Sequence, residues 1–307
     1  GAYMKNTSVL AAAIDALIAN TVPLNSHIQL ATKEGMSTLQ TVLKTYKKSD
    51  LRLYAGAMKV LNNLAVNPSM TYNLVCDSVV QHALEALVVL HDEEKYLVVA
   101  LSLVSRLLSL DEEKKYKSQL LSDDVLDTCL FAVKNYTSGS IIHFACVLLL
   151  LALEDAARVE RILTKTLVEK LVSLLSSHKD EEEVCDDLVG FLAFCVNSPK
   201  AEYVLAIDAA TPVNECMMKY YHNQALVEKC LHLLSLLRSV GHLDIQQILS
   251  SMKEYPVNAA VQRDGCVTLV HYLETDVKNA KRVMELKGIA ICEEAVERFF
   301  DDLQIQL

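Results

Sequence analysis

The sequence contains no tryptophan, only eight glycines and five prolines, and aromatic residues make up 6% of its 307 positions. A β-sandwich or barrel needs frequent turn residues and strands rich in aromatic and β-branched side chains, so this scarcity excludes both. Basic charge is also in short supply. The net charge is −10 and the isoelectric point about 5.4, whereas neutralising phosphates requires a basic face, so nucleic acid is excluded as the expected partner. The lysine clusters Lys44, Lys47, Lys48 and Lys114, Lys115, Lys117 are offset by acidic runs and read as solvated helix ends. None of the nine cysteines forms a Cys-x-x-Cys pair, and most lie in apolar runs such as Phe144-Ala145-Cys146-Val147. They read as reduced core thiols of a cytoplasmic protein, not as a disulfide framework or zinc site. Long apolar runs are missing too. Ile141 to Leu153 is too short to span a bilayer and carries His143, and Val9 to Ala19 is interrupted by Asp15 and lacks the basic leader of a signal peptide. Membrane insertion is not expected.

Nor does any catalytic pattern emerge. There is no phosphate-cradling glycine loop, nucleophile elbow or HExxH. His82 and Glu85 share a helix face, but no second such pair supports a metal site. Asp186 and Asp187 read as a solvated edge beside the core thiol Cys185, and His143 as a satisfied buried histidine. The expectation is a protein with no catalytic residues, no metal and no cofactor.

What the chain has is aliphatic residues at helical spacing, within a composition that is 52% hydrophobic. A polar or acidic helix start leading to an aliphatic, Leu-rich ending recurs six times. Examples are Ser49-Asp50-Leu51 leading to Leu61-Asn62-Asn63-Leu64, and Glu181-Glu182-Glu183 leading to Leu192-Ala193-Phe194-Cys195. Aligned endings place Asn63, Arg106, Leu151, Phe194, Leu236 and Tyr272 at one equivalent position, at intervals of 43, 45, 43, 42 and 36 residues. Periods in the low forties belong to armadillo and HEAT arrays. A second amphipathic helix precedes each ending, carrying for example Leu39, Val42, Leu43, or Leu167, Leu171, Leu174, Leu175. Shorter stretches such as 27–34, 200–206 and 278–286 lie before those. The acidic runs Asp92–Glu94 and Asp180–Glu183 fall at helix N-termini, where carboxylates complement the helix dipole. Asp111 to Lys117 reads as an inter-repeat connection.

The expected architecture is all-α, a right-handed α-solenoid, or superhelix, of three-helix repeats in one domain over 4–307. Full repeats span 24–66, 67–110, 111–154, 155–197, 198–241 and 242–275, with partial repeats at 4–23 and 276–307. Each repeat exposes apolar surface that only its neighbours can cover.

Two segments resemble the armadillo family at residue level. Asn258-Ala259-Ala260-Val261-Gln262-Arg263-Asp264-Gly265 resembles the start of an armadillo third helix. Residues 278–289 resemble the following short helix, its Gly288 turn and the start of the second helix. The segment from Ser26 to Met36, with Gly35, repeats that cue. Repeats over 111–241 lack the inter-helix glycine, which leaves a HEAT-like geometry open there. The Asn258 segment is also similar to armadillo regions attached to leucine-rich-repeat kinases and to flagellar armadillo proteins.

The resemblance implies a concave groove lined by third helices, with Asn at the aligned position and, in importin-α-type receptors, Trp one turn earlier. Here the earlier positions are Lys59, Ser102, Val147, Gly190, His232 and Thr268, and only Asn63 keeps the Asn. A conventional nuclear-import receptor is therefore not expected. Lys59, Asn63, Ser102, Arg106, Phe194, His232 and Tyr272 are the candidate partner-binding residues. The expected ligand is a protein or peptide with acidic residues beside apolar anchors, and Leu151 and Leu236 read as inter-repeat core. The function this implies is a non-catalytic scaffold or adaptor, within a cytoskeletal, flagellar or kinase-linked setting. A transport receptor or chaperone-like carrier, and a homotypic assembly module, are the alternatives.

Overall fold

The structure, a computed structural model, describes residues 6–21, 33–66, 74–237, 244–275 and 277–306. Most of the 27–34 stretch and the whole of 67–73 lie outside them. Every regular element among the described residues is a helix. They cluster into two compact units, 1–155 and 156–307.

The first unit contains α1 (Thr7–Asn20), α2 (Lys33–Tyr46), α3 (Leu51–Leu64), α4 (Asp77–Leu90), α5 (Glu94–Leu110), α6 (Lys117–Leu120), α7 (Asp123–Asn135) and α8 (Gly139–Ala152). Helix starts follow local chemistry. Asn6 accepts from the Val9 amide, and Asp50 from the amides of Arg52 and Leu53 at 3.1 Å, which satisfies donors that the first turn leaves unpaired. Two layers result. Helices α1, α3, α5 and α8 pack in series as one layer, and α2, α4 and α7 as the other. Tyr54, Leu53, Met58, Leu61 and Leu64 of α3 are fully buried between them. The crossing of α1 on α3 is close: a Cβ on Gly56 would stand 2.6 Å from Ile14 Cγ2.

The second unit repeats the plan with α9 (Ala156–Ile162), α10 (Lys165–Ser177), α11 (Glu182–Val196), α12 (Ala201–Leu205), α13 (Ala210–Lys219), α14 (Gln224–Leu237), α15 (Ile245–Glu254), α16 (Ala259–Thr275), α17 (Val277–Glu285), α18 (Gly288–Arg298) and α19 (Leu303–Gln306). Helices α11, α14 and α16 pack in series, with α10 on α13 behind them. Thr164, Asn223, Asp244 and Asn258 cap α10, α14, α15 and α16 through side-chain oxygens. No described helix is long and apolar enough to cross a membrane.

An aromatic ring ends each second-layer helix: Tyr46, His91 and Tyr136 in the first unit, then His178, Tyr220, Tyr255 and Phe299 in the second. In Tyr136, Tyr220 and Tyr255 the hydroxyl reaches back to the turn one repeat earlier. Tyr136 donates to the His91 carbonyl at 2.6 Å, Tyr220 to that of Lys179 at 3.0 Å, and Tyr255 to that of Tyr221 at 2.7 Å. Each bond satisfies a carbonyl that the end of a helix leaves exposed.

Several local expectations are corrected by this geometry. The left-handed residue before α18 is Lys287 (φ 59°), not Gly288. Gly288 is required by a close approach instead, since a Cβ there would lie 2.5 Å from Val283 Cγ1. The acidic runs do sit at helix starts, with Glu94 in the first turn of α5 and Glu182 and Glu183 in that of α11, while Glu93 and Glu181 make no side-chain capping bond. Around α11 the carboxylates are drawn to other partners: Asp180 to Lys219, Glu181 to His178 and Glu182 to Asn223. His143 is half-buried, with its ring 4.7 Å from that of Phe144. The 111–117 connection is more than a spacer. Asp111 is buried and accepts from the amides of Lys115 and Tyr116, and the Tyr116 hydroxyl donates to Asp77 at 2.6 Å.

Candidate partner-binding faces

In the first unit, the third helices bring Lys59, Asn62, Asn63, Ser102 and Arg106 to neighbouring positions on α3 and α5. Asn63 is half-buried, and its amide donates to Thr21 Oγ1 at 3.0 Å and to the Ile18 carbonyl at 3.4 Å. The one Asn that matches the family position therefore ties down the end of α1. Ser102 is buried and donates to Asn62 Oδ1 at 3.2 Å. Arg106 lies along the α3–α5 seam and donates from Nη1 to the Asn62 carbonyl at 3.0 Å. Among the described residues it has no carboxylate partner, and partial burial lowers its guanidinium below the usual arginine range. Lys59 is exposed on α3, one turn before Asn62 and Asn63. Val147 and Leu151 continue the row on α8, both half-buried.

In the second unit, Phe194 is half-buried on α11. One turn earlier, nothing lies within 4 Å of where a Gly190 Cβ would stand, so the helix surface beside the ring is open. His232 on α14 has a side chain 41% exposed and is held from both sides. The Asn197 amide nitrogen donates to the Ala193 carbonyl at 3.0 Å and faces His232 Nε2 at 3.3 Å. On the other side of the ring, His232 Nδ1 lies 3.3 Å from Asp264 Oδ2. Asp264 is buried, which pushes its carboxyl above the ordinary aspartate value against the opposing pull of His232 and Arg263. Arg263 reaches on to Asp302 at 3.7 Å. Leu236 and Tyr272 are half-buried, and the Tyr272 carbonyl accepts from Asn279 at 2.7 Å. Thr268, fully buried, donates to the Asp264 carbonyl within α16.

The position aligned on Asn63 is thus half-buried in all six helices, Leu151 and Leu236 included, and is not sealed core. The position one turn earlier is uneven: Lys59 is exposed, Val147, Gly190 and His232 are intermediate, and Ser102 and Thr268 are buried. The Asn197–His232–Asp264 chain links three successive helices and was not expected. Only His232 stood out in the sequence, because its partners lie 35 residues away on one side and 32 on the other.

The cysteines and the isolated histidine pair also have definite environments. Cys185, Cys216 and Cys230 are buried on α11, α13 and α14, and burial pushes the thiols of Cys129 and Cys195 up to about 12. Among the described residues, no three His, Cys, Asp or Glu side chains converge as a metal site. His82 is buried with Nδ1 3.6 Å from Glu85, which is itself bridged to Lys47 at 2.9 Å.

No protein-family model matches the chain, and no curated protein matches it in sequence. Among solved structures, one from work on a conserved phosphorylation switch controlling the interaction between cadherin and beta-catenin matches it with a TM-score of 0.70 at 14% identity. The match covers 97% of this chain and 56% of that one, so this chain corresponds to little more than half of that chain's length. The likeness extends over both units and concerns the fold, which is the all-α armadillo-type solenoid.

Proposed function

We propose that the chain is a non-catalytic protein-interaction scaffold, and that the third-helix face of its first unit receives acidic side chains of a bound peptide or helix. The observation that carries this reading is Arg106. It is a partly desolvated guanidinium with one hydrogen bond to a carbonyl and no counter-charge among the described residues. An arginine left in this state gains most from an incoming carboxylate, which can take two of its donors at once. Lys59, exposed on the adjacent helix, adds a second cation to the same face. The second unit has a face of its own, where Phe194 lies beside the open Gly190 position on α11, and its half-buried ring is an aromatic surface of the kind that anchors partners. The fold adds support in kind, since the matched solved structure belongs to a study of beta-catenin's interaction with cadherin.

The test uses the intact chain as bait in extract from its native cell. Lys59→Glu with Arg106→Gln should abolish capture of the specific partner while circular dichroism stays unchanged, because neither side chain fills the apolar core. Asn63 is left intact in this variant, since its loss would free α1. Equal capture by the folded double variant would reject the reading.

A further inference from the structure

The second-layer face of the first unit carries a feature that the scaffold reading does not use. Val88 on α4 is 64% exposed and Phe131 on α7 is 37% exposed. They lie on two helices that pack directly together. The Phe131 ring sits 5.6 Å from His91, one turn beyond Val88, and 5.9 Å from Tyr136. Beside Val88 the seam opens into a cavity of about 270 Å³, walled by Leu84, Leu87, Val88 and Val125, with Glu85 and Asp124 among its polar lining. Such a volume is below the range of small-molecule sites and suits an inserted side chain.

Around this patch Glu85 is bridged to Lys47 at 2.9 Å, and exposed carboxylates stand at two other places. Asp124 is exposed at the start of α7, and its carboxylate has no partner among the described residues. Asp92, Glu93 and Glu94 are exposed where α5 begins, immediately after His91, with Asp92 3.0 Å from His91 Nε2. An apolar seam with an acidic border selects a complementary surface, both in attraction and in approach.

We propose that the α4–α7 seam is a docking site for a basic amphipathic helix of another protein, which seats an apolar side chain in the cavity by Val88 and lays Lys or Arg against Asp124 and the Asp92–Glu94 turn. The two parallel stripes, Gln81–Leu84–Val88 on α4 and Asp124–Thr128–Phe131 on α7, have the helical spacing that a helix laid in a groove reads. This face belongs to the second layer, so occupancy here is independent of Lys59 and Arg106.

The probe is a fluorescein-labelled amphipathic helix of leucine and lysine, titrated against the full chain by anisotropy, beside a sibling with glutamate in place of lysine. The lysine helix should bind one to one. Val88→Asn and Asp124→Lys, both at exposed positions, should each weaken it about tenfold or more, as loss of a central anchor does. Glu112→Lys with Glu113→Lys, an equal or larger charge change elsewhere on the unit, and Lys59→Glu should leave it nearly unchanged. The proposal is overturned if the glutamate helix binds as well, or if the control reversals weaken binding as much as Asp124→Lys. It is equally overturned if sedimentation shows Val88 to be covered by a second copy of the chain.

Discussion

Two glycines on third helices give opposite expectations from the same substitution. At Gly56 an added methyl meets Ile14 Cγ2 at 2.6 Å, and a β-branched neighbour in a helix has little rotamer freedom with which to yield. Gly56→Ala should therefore cost about 1–3 kcal/mol, the usual range for overpacking. At Gly190 the same methyl meets nothing within 4 Å, so Gly190→Ala should gain up to ~1 kcal/mol from helix propensity alone. Urea midpoints of the two variants should move in opposite directions, and parallel shifts would contradict the packing described. A titrating residue adds a pH signature. Burial holds the His82 imidazole below its ordinary value of 6.5, with Glu85 opposing and Lys44 and Lys47 reinforcing the shift. Between the lowered folded value and 6.5 the unfolded chain binds more protons, so stability falls as pH drops through that window and is fully present above it. In His82→Gln that part of the acid-side decline in melting temperature should disappear. An unchanged profile between pH 7 and 5 would exclude His82 as its source.

At the scale of the helix, the tyrosine-to-carbonyl bonds between successive repeats are the clearest recurring device. Tyr136→Phe, Tyr220→Phe and Tyr255→Phe each keep the ring and remove one hydrogen bond, so each should cost about 0.5–1.5 kcal/mol. Their thermal shifts should be similar, and three negligible effects would mean that water replaces the bond at no loss. The positions of these rings were present in the sequence as Tyr46, His91, Tyr136, His178, Tyr220, Tyr255 and Phe299. They escape a search by apolar endings because His, Tyr and Phe share a shape but not a hydropathy. Helices themselves were legible, since Leu39, Val42, Leu43 and Leu167, Leu171, Leu174, Leu175 mark buried faces through spacing alone. The candidate site was legible only as positions. Whether Asn63, Ser102 or Arg106 is free depends on Thr21, Asn62 and other residues some 40 positions away, and no local pattern encodes that.

Across the whole molecule, stability should be local because each helix packs on its near neighbours in the stack. In the first unit α1, α3, α5 and α8 contact one another in series, and in the second α11, α14 and α16 do the same. For such an array the free energy approximates a sum of repeat terms and nearest-neighbour terms, so damage spreads only as far as the coupling between repeats. Phe191 tests this well. It is among the largest fully buried side chains and lies on α11, where Phe→Ala removes about 3–5 kcal/mol through lost burial and the cavity left behind. Hydrogen exchange read by mass spectrometry on Phe191→Ala should show faster exchange over α10 to α14. Protection over α3 to α5, a full unit away along the chain, should change far less. A uniform rise in exchange over both units would instead mark the 307 residues as one cooperative folding block, and would place the coupling between repeats above the stability of any repeat taken singly.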